Sequence, residues 1–248
     1  MSHIARLYVE MDLSRAASIR LEDAQSRYLL KVMRLSEGAK VRVFNGRDGE
    51  WVCALSREGK SAVLTPQTQT RAQYTGPELM LLFAPIRRTR TEFIIEKATE
   101  LGAARLQPVR TEYTQTSKLR LDRLESIAIE AAEQTERLDL PEIAEMAPLS
   151  SVLADWNRSI PLVYCDEGGS VAALSEQSAA LKGKPCGLLI GPEGGFSQRE
   201  RQMLRGLDFV VPITLGPRIL RAETAVVAAL TLWQSSFGDW QEAPYLAE

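Results

Sequence analysis

The sequence predicts an α/β protein in which a small β-rich N-terminal region precedes a larger region of helices alternating with a parallel sheet. Three observations predict it. Short β-like runs at residues 40–45, 50–56 and 61–65 are separated by the turn-forming stretches Asn45-Gly46-Arg47-Asp48-Gly49 and Glu58-Gly59-Lys60. Past residue 77, apolar runs such as Leu79-Met80-Leu81-Leu82-Phe83 and Leu188-Leu189-Ile190 alternate with helix-patterned segments, as expected of strands covered on both faces. Finally, 248 residues at 45% hydrophobic content can bury one core and a satellite, which favours two domains, 1–72 and 73–248.

In chain order, Arg6-Leu7-Tyr8-Val9 reads as a strand. Residues 22–34 read as a helix with Ala24, Tyr28, Leu29 and Val32 on one face. The three β-like runs then suggest a small antiparallel sheet or barrel, and the polar stretch 67–77 a linker. After the strand 79–83 comes a helix over about 89–101, closed by Gly102 at the C-terminal cap position. Further strands are expected at 105–109, 161–165, 187–190 and 209–215. A helix over 118–134 places Leu121, Leu124, Ala128 and Ala131 on one core-facing stripe. The last helix, from Ala222 to about Phe237, is apolar almost all round, including Val226, Val227, Leu230, Leu232 and Trp233, so either its own core alone or that core with a second subunit would cover it. The tail after Gly238 is expected to be loosely held.

Composition excludes several kinds of chemistry. Cys53, Cys165 and Cys186 are far apart and form no CxxC pair, against a zinc site or disulfide framework; they read as small buried residues. His3 is the only histidine, so Ser-His-Asp, Cys-His and multi-histidine metal chemistry lack their central group, and no metal is expected. With no run of about 18 apolar residues and no signal-peptide pattern at the start, a cytoplasmic protein is expected. Residues 1–72 carry 12 Lys+Arg against 8 Asp+Glu and the rest 18 against 24, or +4 and −6. A mildly basic N-terminal part on an acidic body suits a nucleic-acid platform and equally a solvated surface.

Two segments carry chemistry. The strand Leu188-Leu189-Ile190 runs into Gly191-Pro192-Glu193-Gly194-Gly195-Phe196, after which Ser197 and Glu200 have the spacing of a capping box. Loops at the carboxyl ends of parallel strands are where open α/β sheets bind ligands, and glycines let the backbone approach them. A P-loop would need a Lys-Ser/Thr and a dinucleotide site the GxGxxG order; both are missing. An uncharged adenosine moiety needs an apolar slot and a few main-chain hydrogen bonds, which suit this loop. The second segment repeats the arrangement: an apolar run over 209–215 leads into Gly216-Pro217-Arg218-Ile219-Leu220-Arg221 and then into the last helix.

Together, Ile190-Gly191-Pro192-Glu193-Gly194-Gly195 and Leu215-Gly216-Pro217-Arg218-Ile219-Leu220-Arg221-Ala222-Glu223-Thr224-Ala225 resemble the C-terminal signature of SPOUT-class methyltransferases, and more closely the family that methylates N3 of a uridine in 16S ribosomal RNA. Supporting matches are Arg6-Leu7-Tyr8-Val9, Val32-Met33-Arg34-Leu35 with Gly38, Lys97-Ala98-Thr99-Glu100-Leu101-Gly102 with Pro108, and Glu133-Gln134 with Arg137 and Pro141. Tyr113 stands where that family's pattern has an arginine, and Thr135-Glu136 where it has a small Ser-Gly pair.

The resemblance implies an N-terminal PUA-like RNA-binding β-barrel over 1–72 and, over 73–248, a SPOUT domain with a deep trefoil knot threading about 188–220. It also implies an obligate homodimer. Nothing in the residue pattern alone points to a knot. The implied cofactor is S-adenosyl-L-methionine, held by Ile190, Gly191, Pro192, Glu193, Gly194, Gly195, Leu215, Gly216, Ile219, Leu220, Arg221 and Ala222. The implied substrate is 16S ribosomal RNA in the assembled small ribosomal subunit.

Methyl transfer to uracil N3 requires an in-line approach and loss of the imide proton. Arg221 is the candidate for stabilising the uracil anion, and Glu223 for acting as base or holding Arg221. Lys31, Arg34, Arg87, Arg88 and Arg90 are candidate RNA phosphate contacts, and a solvated helix face explains each about as well. The cofactor loops do not distinguish a relative acting on transfer RNA or another ribosomal position. A nonenzymatic RNA-binding assembly factor would use the same platform.

Overall fold

The computed structural model describes residues 4–14, 18–166, 173, 174, 181 and 183–242. His3 and residues 243–248 of the expected tail lie outside them. The chain divides into two compact units. One runs through Thr75 and takes in Ala132–Leu140; the other comprises Gly76–Ala131 and continues from Pro141.

The first unit is a five-stranded sheet of β1 (Ala5–Tyr8), β2 (Ile19–Arg20), β3 (Lys40–Phe44), β4 (Glu50–Glu58) and β5 (Ser61–Arg71), in the order β1-β3-β4-β5-β2. β1 pairs parallel to β3 and the other pairings are antiparallel. Leu7, Val41, Val43, Cys53, Leu55 and Leu64 face one core, as period-2 alternation requires. Burial pushes the Cys53 thiol up to about 12, so it behaves as a small apolar side chain.

Two expectations fail here. The stretch read as a linker from residue 67 is strand as far as Arg71, because β4 supplies a pairing partner that its polar sequence does not advertise. The expected helix over 22–34 is α1 (Asp23–Arg27) followed by one π turn (Tyr28–Val32). Of its expected inner face only Leu29 is buried; Ala24, Tyr28 and Val32 are exposed. Ser26 points inward instead, bonded to Leu21 O at 3.2 Å and accepting from the Ala62 amide at 3.0 Å. A buried hydroxyl satisfied by backbone leaves no trace in apolar periodicity.

An ion cluster stitches this unit together. Glu50 Oε2 accepts from Arg6 Nε and Arg71 Nη2, each at 2.7 Å, and Arg71 Nη2 also reaches Glu136 Oε2 at 3.1 Å. Arg42 donates to both oxygens of Glu136. Burial alone would raise the Glu50 carboxyl, but hydrogen bonds from Arg71 and Arg6 outweigh it and hold it below the usual carboxylate range. Glu136 sits at φ 63, a left-handed conformation that favours glycine. This is the position of the glycine in the Ser-Gly pair, and here the carboxylate's two arginine partners offset the strain.

The second unit is a parallel sheet in the order β12-β10-β11-β6-β7-β8, with β9 also on β7. Its strands are β6 (Leu79–Phe83), β7 (Arg105–Arg110), β8 (Glu142–Ile143), β9 (Ala147–Pro148), β10 (Leu162–Cys165), β11 (Cys186–Ile190) and β12 (Val210–Ile213). Every residue of β10 and β11 is buried, as expected of central parallel strands. The helices are α2 (Arg88–Glu100), α3 (Leu121–Gln134), α4 (Leu149–Ala154), α5 (Gln198–Arg205) and α6 (Ala222–Phe237). On α3, Leu124, Ala128 and Ala131 form the expected buried stripe. α6 buries Val226, Leu230 and Trp233, while Leu232 remains exposed.

β11 lies between β6 and β10, and the chain then passes to the far side of β10 to form β12. The segments leaving β11 and β12 therefore emerge at the same edge of the sheet. This strand order brings the two glycine segments together.

Candidate functional site

A cavity of about 500 Å³ opens at that edge, within the range of small-molecule sites. Ile190, Gly191, Leu215, Gly216, Ile219, Leu220 and Ala222 line it. Cys165, Asp166, Phe196, Thr214, Pro217, Arg218 and Ala225, which the sequence reading did not single out, complete the wall. The signal for Asp166 is its place directly after the apolar strand 162–165, at the carboxyl edge. The other additions are neighbours of the two glycine segments, apart from Cys165 on the strand itself.

The remaining expected cofactor contacts are distributed elsewhere. Pro192, Glu193 and Gly194 face a second cavity of about 530 Å³, and Gly195 and Arg221 line neither. The first glycine segment is thus a partition with one end in each cavity.

That partition is rigidly built. Ser197 and Glu200 form the expected capping box at the start of α5, with Ser197 N donating to Glu200 Oε2 at 2.9 Å and Glu200 N to Ser197 Oγ at 3.2 Å. The amide of Gly195 donates to Pro192 O at 2.8 Å, closing the turn. The Phe196 ring lies edge-on to Tyr164 with centroids 5.2 Å apart. It also fills the space above Gly191, where an added Cβ would come within 2.7 Å of the ring, so a side chain there would clash.

The second segment differs. Gly216 adopts φ +101, a conformation open to glycine, with nothing near its would-be Cβ, and Ile219 is 87% exposed.

Asp166 is buried and accepts from Arg205 Nε at 2.9 Å, tying α5 to the end of β10. Its charge, together with burial as the larger cause, raises the neighbouring Tyr164 hydroxyl. Burial raises the Cys186 thiol to about 12, which leaves it protonated at neutral pH.

Arg221 is the N-cap residue of α6 and is exposed. Glu223 lies in the first turn of that helix, where the macrodipole favours a carboxylate. Its ion-pair partner among the described residues is Arg90, at 3.1 Å, rather than Arg221. Arg90 also lies 3.5 Å from Glu193, so it joins α2, the first glycine segment and α6 instead of standing free for phosphate. Glu223 Oε2 is buried with no hydrogen-bond partner among the described residues.

Arg87 and Arg88 are exposed at the start of α2, with Arg88 paired to Glu92 at 2.8 Å. Lys31 and Arg34 are exposed in the first unit, on and just beyond the π turn. Arg34 adopts φ 53, unusual for a non-glycine residue.

Comparison with known proteins fits this arrangement. Residues 75–234 match the model of the RNA methyltransferase domain and residues 21–65 that of the RNA methyltransferase PUA domain. The ribosomal RNA small subunit methyltransferase E of Rickettsia conorii is 31% identical over 227 residues, covering 91% of this chain and 93% of that protein. The protein of the same name from Bacillus subtilis is 27% identical, covering 91% and 94%. The crystal structure of the Neisseria gonorrhoeae ribosomal RNA small subunit methyltransferase E bound to S-adenosyl methionine aligns with TM-score 0.86 at 26% identity, covering 96% of this chain and all of that one (100%).

Proposed function

We propose, on the premise that this chain belongs to the RNA methyltransferase family alongside the ribosomal RNA small subunit methyltransferase E proteins, that it methylates N3 of a uridine in 16S ribosomal RNA using S-adenosylmethionine. The observation that carries this reading is the cavity between two glycine segments at the carboxyl edge of a parallel sheet. The cavity fits such a cofactor: it has the volume, apolar walls from Ile190, Leu215 and Leu220, and backbone open to close approach at Gly216.

S-adenosylmethionine, when bound, supplies a methyl group on a sulfonium. The side chains do the rest. Glu223, with one carboxylate oxygen paired to Arg90 and the other without a partner, accepts the N3 proton. Arg221, exposed at the cavity-side end of α6, stabilises the negative charge on the uracil ring. Transfer of that methyl group to N3 would leave S-adenosylhomocysteine, with the displaced proton on Glu223. In this reading Arg90 positions Glu223, and Lys31, Arg34, Arg87 and Arg88 hold RNA phosphates.

Under the same reading, residues 1–72 form the RNA-binding PUA-like domain and residues 73–248 the catalytic domain, with about 188–220 threaded as a trefoil knot. The protein works in the cytoplasm as a homodimer on the assembled small subunit. The exposed Leu232 on α6 favours a second copy against that helix.

The test is incubation with labelled S-adenosylmethionine and, in parallel, small ribosomal subunits, naked 16S RNA and transfer RNA, followed by mass spectrometry of the nucleosides. N3-methyluridine in small-subunit RNA is expected. Label only in transfer RNA, or none, would refute the assignment.

A further inference from the structure

The second cavity takes no part in the methyl transfer above, although Arg87 on its wall is among the phosphate contacts assigned there. It lies on the other side of the Pro192-Glu193-Gly194 turn from the cofactor cavity, and its remaining wall comes from the start of α2 and the segment after β7. That segment is fixed. Thr111 N donates to Thr114 Oγ1 at 2.9 Å, the Glu112 amide donates to Glu200 Oε1 at 2.8 Å, and Thr116 Oγ1 donates to Ile86 O at 2.9 Å.

The tether from Glu112 to Glu200 uses the same carboxylate that caps α5. It therefore ties this segment to the start of α5, which follows the glycine turn. Tyr113 is held against Gly194, whose would-be Cβ lies 3.5 Å from the tyrosine Cβ, yet the residue stays 48% exposed. A half-exposed aromatic side chain packed at its base against a turn offers a surface for stacking.

The rest of the lining narrows the ligand. Arg87 supplies a cation, Thr114 a hydroxyl and Gln115 an amide. Carboxylates at Glu112 and Glu193 disfavour a small free anion, and the polar lining disfavours a lipid or apolar peptide. A flat heterocycle with hydrogen-bonding edges and an attached phosphate satisfies the whole set, and the volume admits one nucleotide.

We propose that this cavity is a subsite for an unpaired RNA nucleotide flanking the methylated one, with its base stacked on Tyr113 and its phosphate on Arg87. It rests on the reading of the protein as an RNA methyltransferase. Base–aromatic stacking tolerates any base, and unpaired nucleotides are the ones whose faces are free. Because the Gly191–Phe196 segment contributes residues to both cavities, the subsite fixes which strand position can present its N3 next door. Tyr113, standing where the family pattern has arginine, substitutes a stacking contact for a charge.

The test is fluorescence anisotropy with a labelled single-stranded 12-residue RNA of mixed sequence, in the presence of S-adenosylhomocysteine. Tyr113→Ala should weaken binding roughly tenfold while Tyr113→Phe stays within about twofold of wild type, given the usual strength of a base–aromatic stack. Arg87→Ala should weaken binding and lower its salt dependence. Calorimetry with S-adenosylmethionine verifies that each variant is folded. Weakening by Tyr113→Ala of less than about fivefold, the lower bound for such a stack, overturns the subsite. Failure of the wild type to methylate RNA would overturn the assigned activity instead, since the binding readout needs no turnover.

Discussion

The two units reach a defined structure by opposite means. The first places its charges inside: Glu50 is completely buried and shared between Arg6 and Arg71, and Glu136 is shared between Arg42 and Arg71. The second buries apolar strands and gathers Arg221, Arg90, Glu223 and the buried Asp166, paired with Arg205, at one edge of its sheet. A buried charge binds distant segments with specific geometry but is costly once unpaired. A dry sheet with polar groups at its rim separates stability from chemistry. Substitutions in the first unit should therefore act on folding, and those at the rim of the second on turnover.

The sharpest way to break this contrast is Glu50→Gln. Removing one partner from a buried ion cluster costs about 3–5 kcal/mol, to be measured by denaturant unfolding of the first unit's transition. The pH dependence follows from the lowered Glu50 carboxyl: the stabilisation is complete above its ordinary value of 4.5 and is lost as pH falls through the lower folded value. The variant should lose that part of the acid limb. An unchanged acid limb would mean that the cluster does not hold the unit.

Arg221→Ala tests the other half. Loss of one stabiliser of developing charge lowers kcat by about 10²–10³-fold. Thermal melting and cofactor affinity should stay near those of wild type, because the side chain is exposed at the N-cap. Near-normal turnover would remove Arg221 from the mechanism.

Gly191→Ala lies between the two, since the added methyl meets the Phe196 ring. Overpacking of this kind costs about 1–3 kcal/mol, and because the residue lines the cavity the loss should appear in both melting temperature and calorimetric affinity for S-adenosylmethionine. Glu136→Gly has the smallest expected effect. It relieves about 1–2 kcal/mol of left-handed strain and forfeits the hydrogen bonds to Arg42 and Arg71, whose combined worth solvent screening of the partly exposed carboxylate lowers to about 2–3 kcal/mol. A modest net loss in chemical denaturation is expected; a gain would show that strain outweighs pairing.

Much of this architecture is legible in the residue pattern. Apolar runs such as 79–83 and 187–190 announce the central strands, and Ser197 with Glu200 announces the start of α5. What the pattern misses has few residues or no apolar signal: the two-residue strands β2, β8 and β9, the short helix α4, and the polar half of β5. The two glycine segments are visible as motifs, but the division of the first between two cavities is not. It depends on a tether between Glu112 and Glu200, 88 residues apart. The pairing of Arg90 with Glu223 is equally long-range, so the residue pattern gives no sign of it.

The cavity between the two glycine segments is the centre of the account, and hydrogen exchange with and without S-adenosylmethionine tests it most directly. Protection is predicted at residues 190–196 and 214–222. Protection concentrated instead around Met80, Gln107 and Trp156, which line a separate cavity in the same unit, or no protection at all, would contradict it.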